Sequence, residues 1–194
     1  IMEQKFKIMN ILNFQFSKID ELEDVTDESI KNNMTHGVWV LFGRKKEQLW
    51  TCLQVGQSSN IGLEIISDVE CLSGKRKISE DKTKSYINQF GKVVQGYEYH
   101  VYPTPREQIY TKMGKEYKDF VFVCICCGEN YKDNKKLIEK YAAWKLRALF
   151  WRNGRPFKVK KENVEEPDNI DEIDFNEKEM IDKMADWYKK QQQK

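Results

Sequence analysis

The chain has 194 residues, of which 33% are charged, with 33 Lys and Arg against 31 Asp and Glu and a formal net charge of +2. That length supports a packed core and one domain with appendages, and the near-balance of charge excludes a simple polycation. No apolar run has the length needed to cross a bilayer and the N-terminus lacks a signal-peptide pattern, so a cytoplasmic protein without membrane association is expected.

Residues 2–34 read as an N-terminal extension. Leu12 to Phe16 (LNFQF) alternates like a short strand, and Thr26-Asp27-Glu28-Ser29 has the residue types of a helix start. From Gly37 the pattern sharpens. Val38, Val40 and Phe42 alternate with Trp39, Leu41 and Gly43, which predicts a strand apolar on both faces. Arg44 to Gln48 form a charged turn, and Leu49 to Val55 form the partner strand. Gly56 then lets the chain swing tightly into a helix, with Ser58 or Asn60 as its N-cap. Ile61, Ile65, Val69 and Leu72 make the buried stripe of that helix, and Glu64 and Asp68 stand one turn apart on a neighbouring face. A solvated acidic face and a hard-cation site both fit this pair, the first being the commoner use.

Residues 73–118 form an insertion. It opens with Lys75, Arg76 and Lys77 and turns aromatic at Tyr86, Phe90, Tyr97, Tyr99, Tyr102 and Tyr110. Cations on phosphates with rings against bases would make it a nucleic-acid surface, whereas Tyr97, Tyr99 and Val101 also alternate like a packed strand. Arg106 to Lys118 come after two prolines and are expected to be helical. Phe120 to Cys127 (FVFVCICC) is apolar throughout and predicts a central strand, with Cys124 and Cys126 on one face and Cys127 on the other. Five cysteines without a secretion signal are expected to be reduced, buried thiols.

A helix capped by Asp133 or Asn134 is predicted from Lys135 to about Trp151, with the stripe Leu137, Tyr141, Trp144, Ala148 and Trp151. Between Lys132 and Lys161 eleven Lys or Arg face only Asp133 and Glu139. Lys140, Arg147, Arg152 and Arg155 are therefore candidate contacts to DNA or RNA, alongside Lys75, Arg76 and Lys77. From Glu162 to Asp186 the balance inverts, with eleven acidic residues against Lys178 and Lys183. Residues 159–194 are thus expected to be an acidic tail with a short helix begun by Asp174 or Asn176. It either folds back on the basic helix or engages a basic protein partner.

The hairpin, the glycine corner, the helix and the later strand–helix pair together resemble the GIY-YIG nuclease family over residues 35–158. Gly37-Val38-Trp39 stands in the place of GIY and Gln54-Val55-Gly56 in the place of YIG, and Ser58, Asn60 and Ile61 fit the family's turn into its first helix. The resemblance implies an α/β (α+β) fold with a small, mostly antiparallel central sheet flanked by helices. It implies a phosphodiester endonuclease using Mg2+ or Mn2+, with Glu139 as the metal ligand and Asn153 as the closing Asn. Trp39 and Gln54 replace the two family tyrosines, and Glu64 replaces the arginine. An indole has no exchangeable hydroxyl and an amide is no general base near neutral pH, while a carboxylate repels the phosphate that an arginine would hold.

These residues support three readings. One is a divergent nuclease with its catalytic groups rebuilt from the insertion, such as Tyr86 or Tyr97 with Lys75 or Arg76. The second is a catalytically inactive scaffold that binds nucleic acid or regulates a nucleic-acid-handling protein. A third, weaker reading is a metal-dependent nuclease of another type, using Glu64, Asp68 and Glu70 with Lys75 or Lys77.

Overall fold

Apolar alternation on both sides of three adjacent strands gives this molecule two cores, one on each face of a single sheet. A computed structural model describes residues 3–14, 18–46, 48–75, 86–87, 93–94, 105–151, 155–156 and 166–193. The strands are β1 (Lys5–Asn10), β2 (Glu23–Asp24), β3 (Gly37–Arg44), β4 (Thr51–Ser58), β5 (Tyr86–Ile87), β6 (Val93–Val94), β7 (Asp119–Cys127), β8 (Phe150–Trp151) and β9 (Arg155–Pro156). The helices are α1 (Ile61–Leu72), α2 (Pro105–Glu116), α3 (Lys135–Leu146) and α4 (Phe175–Gln191). The larger sheet has seven strands in the order β2-β1-β7-β3-β4-β8-β9, and β5 and β6 form a separate pair. β3 runs antiparallel to both β4 and β7, while β1 lies parallel to β7. The expected α+β class, with helices flanking a sheet, is what the chain adopts.

On one face Trp39, Leu41, Leu53, Phe120 and Phe122 pack against Ile61, Ile65, Val69 and Leu72 of α1 and Tyr110 and Met113 of α2. On the other, Val38, Val40, Phe42, Val55, Val121 and Val123 pack against Ile138, Tyr141 and Leu146 of α3 and Ile181 and Met184 of α4. Successive strand residues serve opposite cores, as the pleat requires. α1 and α2 cross very closely: a Cβ on Gly114 would lie 1.8 Å from the Leu72 carbonyl oxygen. Gln4 seals that crossing from the N-terminal segment, its amide donating to the carbonyls of Leu72 and Gly114 at 3.1 and 2.8 Å.

Several elements differ from expectation. The N-terminal strand lies at Lys5–Asn10, inside the main sheet, and Leu12 and Asn13, expected to begin a strand, do not belong to it. The Asn10 side chain accepts from Leu12 N at 2.9 Å and turns the chain into a 3-10 turn over Ile11–Asn13; residues 15–17 lie outside the described residues. Thr26 and Ser29 do bond reciprocally, each backbone N–H to the other's hydroxyl oxygen, but they lead only into the 3-10 turn Lys31–Asn33. α3 stops at Leu146 because Arg147 adopts the left-handed conformation, and Phe150–Trp151 join β4 as β8. The short tail helix is 17 residues long, capped by Asp174, and its Ile181 and Met184 are wholly buried. Most of the insertion, including Tyr97, lies outside the described residues.

Candidate functional site

In the β3–β4 register Trp39 is opposite Gly56 and Leu41 opposite Gln54, so Gln54 shares the α1/α2 face with the indole. Trp39 is 2% exposed, and a Cβ on Gly56 would lie 2.5 Å from its ring. Gly56 is thus required by the close approach of that ring. Gln54 is 3% exposed, and its amide nitrogen donates to the Val55 carbonyl at 3.0 Å. Beside the hairpin, Asn60 caps α1 by accepting from Leu63 N at 3.1 Å, while Ser58 accepts from Asn60 N at 3.1 Å. The same Ser58 hydroxyl donates to Glu64 at 3.3 Å. Where the resemblance sets two phenols and a guanidinium, the chain has a packed indole, a self-bonded amide and a carboxylate held by the helix entry.

The acidic residues of α1 correct another expectation. Asp68 and Glu70 are 1% and 2% exposed, so they are not a solvated face. They do not form a metal centre with Glu64 either: among the described residues no group of three or more His, Cys, Asp or Glu comes together to hold a metal. Two residues beyond the end of α1, the left-handed backbone of Gly74 lets Gly74 N bond Cys71 O and Lys75 N bond Glu70 O at 3.1 and 2.9 Å. Lys75 is exposed just beyond that turn, whereas Arg76 and Lys77 lie outside the described residues.

Glu139 is buried, at 5% exposure, on α3. That helix packs on the face carrying Val38, Val40 and Val55, so the sheet separates it from Trp39 and Gln54. The four residues that the resemblance would gather therefore do not meet on one face. Among the described residues no group of three or more His, Cys, Asp or Glu that could hold a metal includes Glu139, whereas Mg2+ and Mn2+ take several oxygen ligands. Of the basic candidates, Lys140 is half-buried and Arg147 exposed; Arg152 and the expected closing Asn153 lie outside the described residues, and Arg155 falls in β9.

Two side-chain clusters have no clear sequence signal. At the start of β3, Lys135 Nζ lies 2.7 Å from His36 Nδ1, and His36 Nε2 lies 3.9 Å from Glu129. Only the strand pairing joins these residues, through the bond of Gly128 N to His36 O at 2.8 Å. Nearby, a register shift between Val38 and Trp39 turns Cys124 and Cys127 to the same core, against the expected alternation. The Cys127 thiol donates to Asn33 Oδ1 at 2.9 Å. A hydrogen bond with Cys124 holds the Cys127 thiol below its ordinary pKa, with burial opposing.

The acidic segment folds back on the basic helix, one of its two expected fates. Asp182 of α4 accepts from the Tyr141 hydroxyl and lies 3.3 Å from Lys145 and 3.4 Å from Lys178. Burial, the largest single influence, pushes its carboxyl upward, but these groups together hold it below the usual carboxylate range. Farther along, the C-terminal ends of α3 and α4 bound a cleft of about 590 Å³ lined by Trp144, Lys145, Arg147, Asp186, Tyr188 and Lys189 among others. Tyr188 and Lys189 are not among the residues expected from sequence. Their signal is the run Trp187-Tyr188-Lys189-Lys190, which mixes rings and cations on one helical turn.

No helix among the described residues is long and apolar enough to cross a membrane. No protein-family model matches the chain, and neither the curated proteins nor the solved structures gave a match.

Proposed function

We propose that this protein is a GIY-YIG-like scaffold that binds nucleic acid and does not cut it. One observation carries the reading: the hairpin positions that should activate water are filled by Trp39, packed on Gly56, and by the buried, self-bonded Gln54. Neither side chain can take a proton from water at neutral pH. Glu64 stands on the helix where a phosphate's counter-charge is needed, and it accepts from Ser58. The family resemblance is supported by the order β4-β3-β7, with an antiparallel hairpin beside the later strand and a helix directly after the hairpin.

Binding is supported by the cations on and beside α3. Lys132, Lys136 and Arg147 are exposed, and their attraction for a phosphate backbone needs no reacting group. A cytoplasmic setting belongs to the same reading: Cys52 and Cys127 stand outside any disulfide, as a reducing compartment would keep them.

The test is incubation of the full chain with plasmid DNA and with RNA across Mg2+ and Mn2+, beside a Glu139→Ala variant. The expected result is no cleavage by either protein, together with binding whose affinity falls linearly with salt on a log–log plot. Cleavage that disappears in Glu139→Ala would instead make the protein a divergent endonuclease. Absence of both cleavage and binding would overturn the nucleic-acid reading and leave a protein partner for the basic helix.

A further inference from the structure

Resting on the nucleic-acid reading, we infer that the cleft between the C-terminal ends of α3 and α4 takes single-stranded nucleic acid, with an unpaired base against Trp144 and flanking phosphates on Arg147 and Lys189. The cleft of about 590 Å³ has the size of a small-ligand site and is lined by three cations, Lys145, Arg147 and Lys189, against one carboxylate, Asp186. Two of those cations, Arg147 and Lys189, are exposed. Its walls also supply the rings Trp144 and Tyr188. Rings that stack on any base, set among cations that track the backbone, are the means by which proteins hold single strands. A duplex keeps its bases stacked inside and offers such a platform nothing.

The platform is preorganised. Trp144 is half-buried, its ring tilted against Tyr141 at 5.9 Å, with Lys145 Nζ 5.6 Å from its centroid. Lys145 in turn is fixed by Asp182 at 3.3 Å, and the Tyr188 hydroxyl accepts from Cys52 N at 3.1 Å. The groove floor therefore needs little ordering when a strand arrives.

Arg147 points the same way. It has φ 51°, in the left-handed region that a helix end usually reserves for glycine or asparagine, and its backbone N–H caps the helix by bonding Ala143 O. Glycine would serve that backbone better. The side chain is exposed, so the local fold gains little from it. A strained residue that folding does not require is an indication of function. Here its reach into a cationic, aromatic cleft says which function.

The experiment uses the full chain with fluorescein-labelled oligo(dT) and oligo(U) of twelve nucleotides and a twelve-base-pair duplex, read by anisotropy at several salt concentrations. The single strands are expected to bind more tightly than the duplex and to quench tryptophan fluorescence. Trp144→Ala should weaken single-strand binding by about 5- to 100-fold, the span that base–aromatic stacking energies give. Arg147→Gly should reduce the log–log salt slope by about 1 and raise the melting temperature. That pairing of weaker binding with greater stability cannot come from damage to the fold. If both variants bind as the parent does, or the duplex binds as well as the single strands, the cleft is not the site, although the broader reading stands. If the parent binds no nucleic acid at low salt, both fail together.

Discussion

The two faces of the sheet are built by the same strands, yet only one of them gathers cations and rings around a cleft at its margin. On the α1/α2 face Trp39 seals the hairpin, Gly56 and Gly114 let packed groups approach closely, and even Asp68 and Glu70 are buried. On the α3/α4 face Glu139 is buried as well, but Lys145, Arg147, Asp186 and Lys189 gather at the margin of the core around an open cleft. On the proposed reading, the first face has turned the positions of a reactive site into packing. The second places cations and rings at two helix ends, where they can bind without being required by the core.

The largest expected effect tests whether α4 truly belongs to that second core. Ile181 is wholly buried, between the sheet and α3, and Trp187 beside it makes edge contacts with Phe14 and Phe42 at 5.5 and 5.7 Å. Ile181→Ala should lower unfolding stability by about 2–5 kcal/mol, measured in urea. A loss below about 1 kcal/mol would make α4 an appendage, and the comparison of two cores would fail. A smaller effect is expected at Gly56. Gly56→Ala drives a methyl group into the Trp39 ring and should lose about 1–3 kcal/mol. Trp39→Leu should cost less in the Gly56→Ala background than in the parent, because there it also removes the clash. Strict additivity of the two changes would show that the ring does not close this face.

Legibility in the sequence tracks periodicity. The hairpin, α1 with its Asn60 cap and the central strand β7 are readable because each carries an unbroken pattern and a turn signal. β1 is not: its register is set by pairing with β7, more than 100 residues away, and KFKIMN alternates too weakly to reveal that. The expected helix overruns the end of α3 because Ala148 and Trp151 continue a helical spacing that Arg147 interrupts with backbone conformation alone. Likewise a bulge invisible in FVFVCICC brings Cys127 to the side of Cys124. For the site, the basic character of α3 is plain from composition. That Glu139 lies across the sheet from Gln54 is not, since only the packing of α3 decides it. Charge inversion after Glu162 suggests a tail, and the anchoring residues Ile181 and Met184 look like a narrow stripe until they meet a second apolar surface.

The smallest effect separates the ionic part of α4 docking from its apolar part. Asp182 sits among Tyr141, Lys145 and Lys178, and its carboxyl titrates below the unfolded value. Its contribution is therefore present above about pH 4, the unfolded carboxylate range, and is lost as pH falls through the lowered value. Glu177, one turn earlier on the same helix, is the opposite case: burial raises its pKa, although a hydrogen bond from Tyr131 works against that. Its contribution is present below the unfolded value and is lost as pH rises through the raised one. Relative to the parent, Asp182→Asn should become progressively less destabilising as pH falls below about 4, while Glu177→Gln should become progressively more stabilising as pH rises above it, through the raised value of Glu177. Melting temperatures taken from well below to well above that pH, as differences between variant and parent, remove the titration of every other carboxylate. Flat differences for both variants would mean that apolar burial alone holds α4 against α3. The cleft at their C-terminal ends would then owe its shape to Ile181 and Met184, with no share from the charges around Asp182.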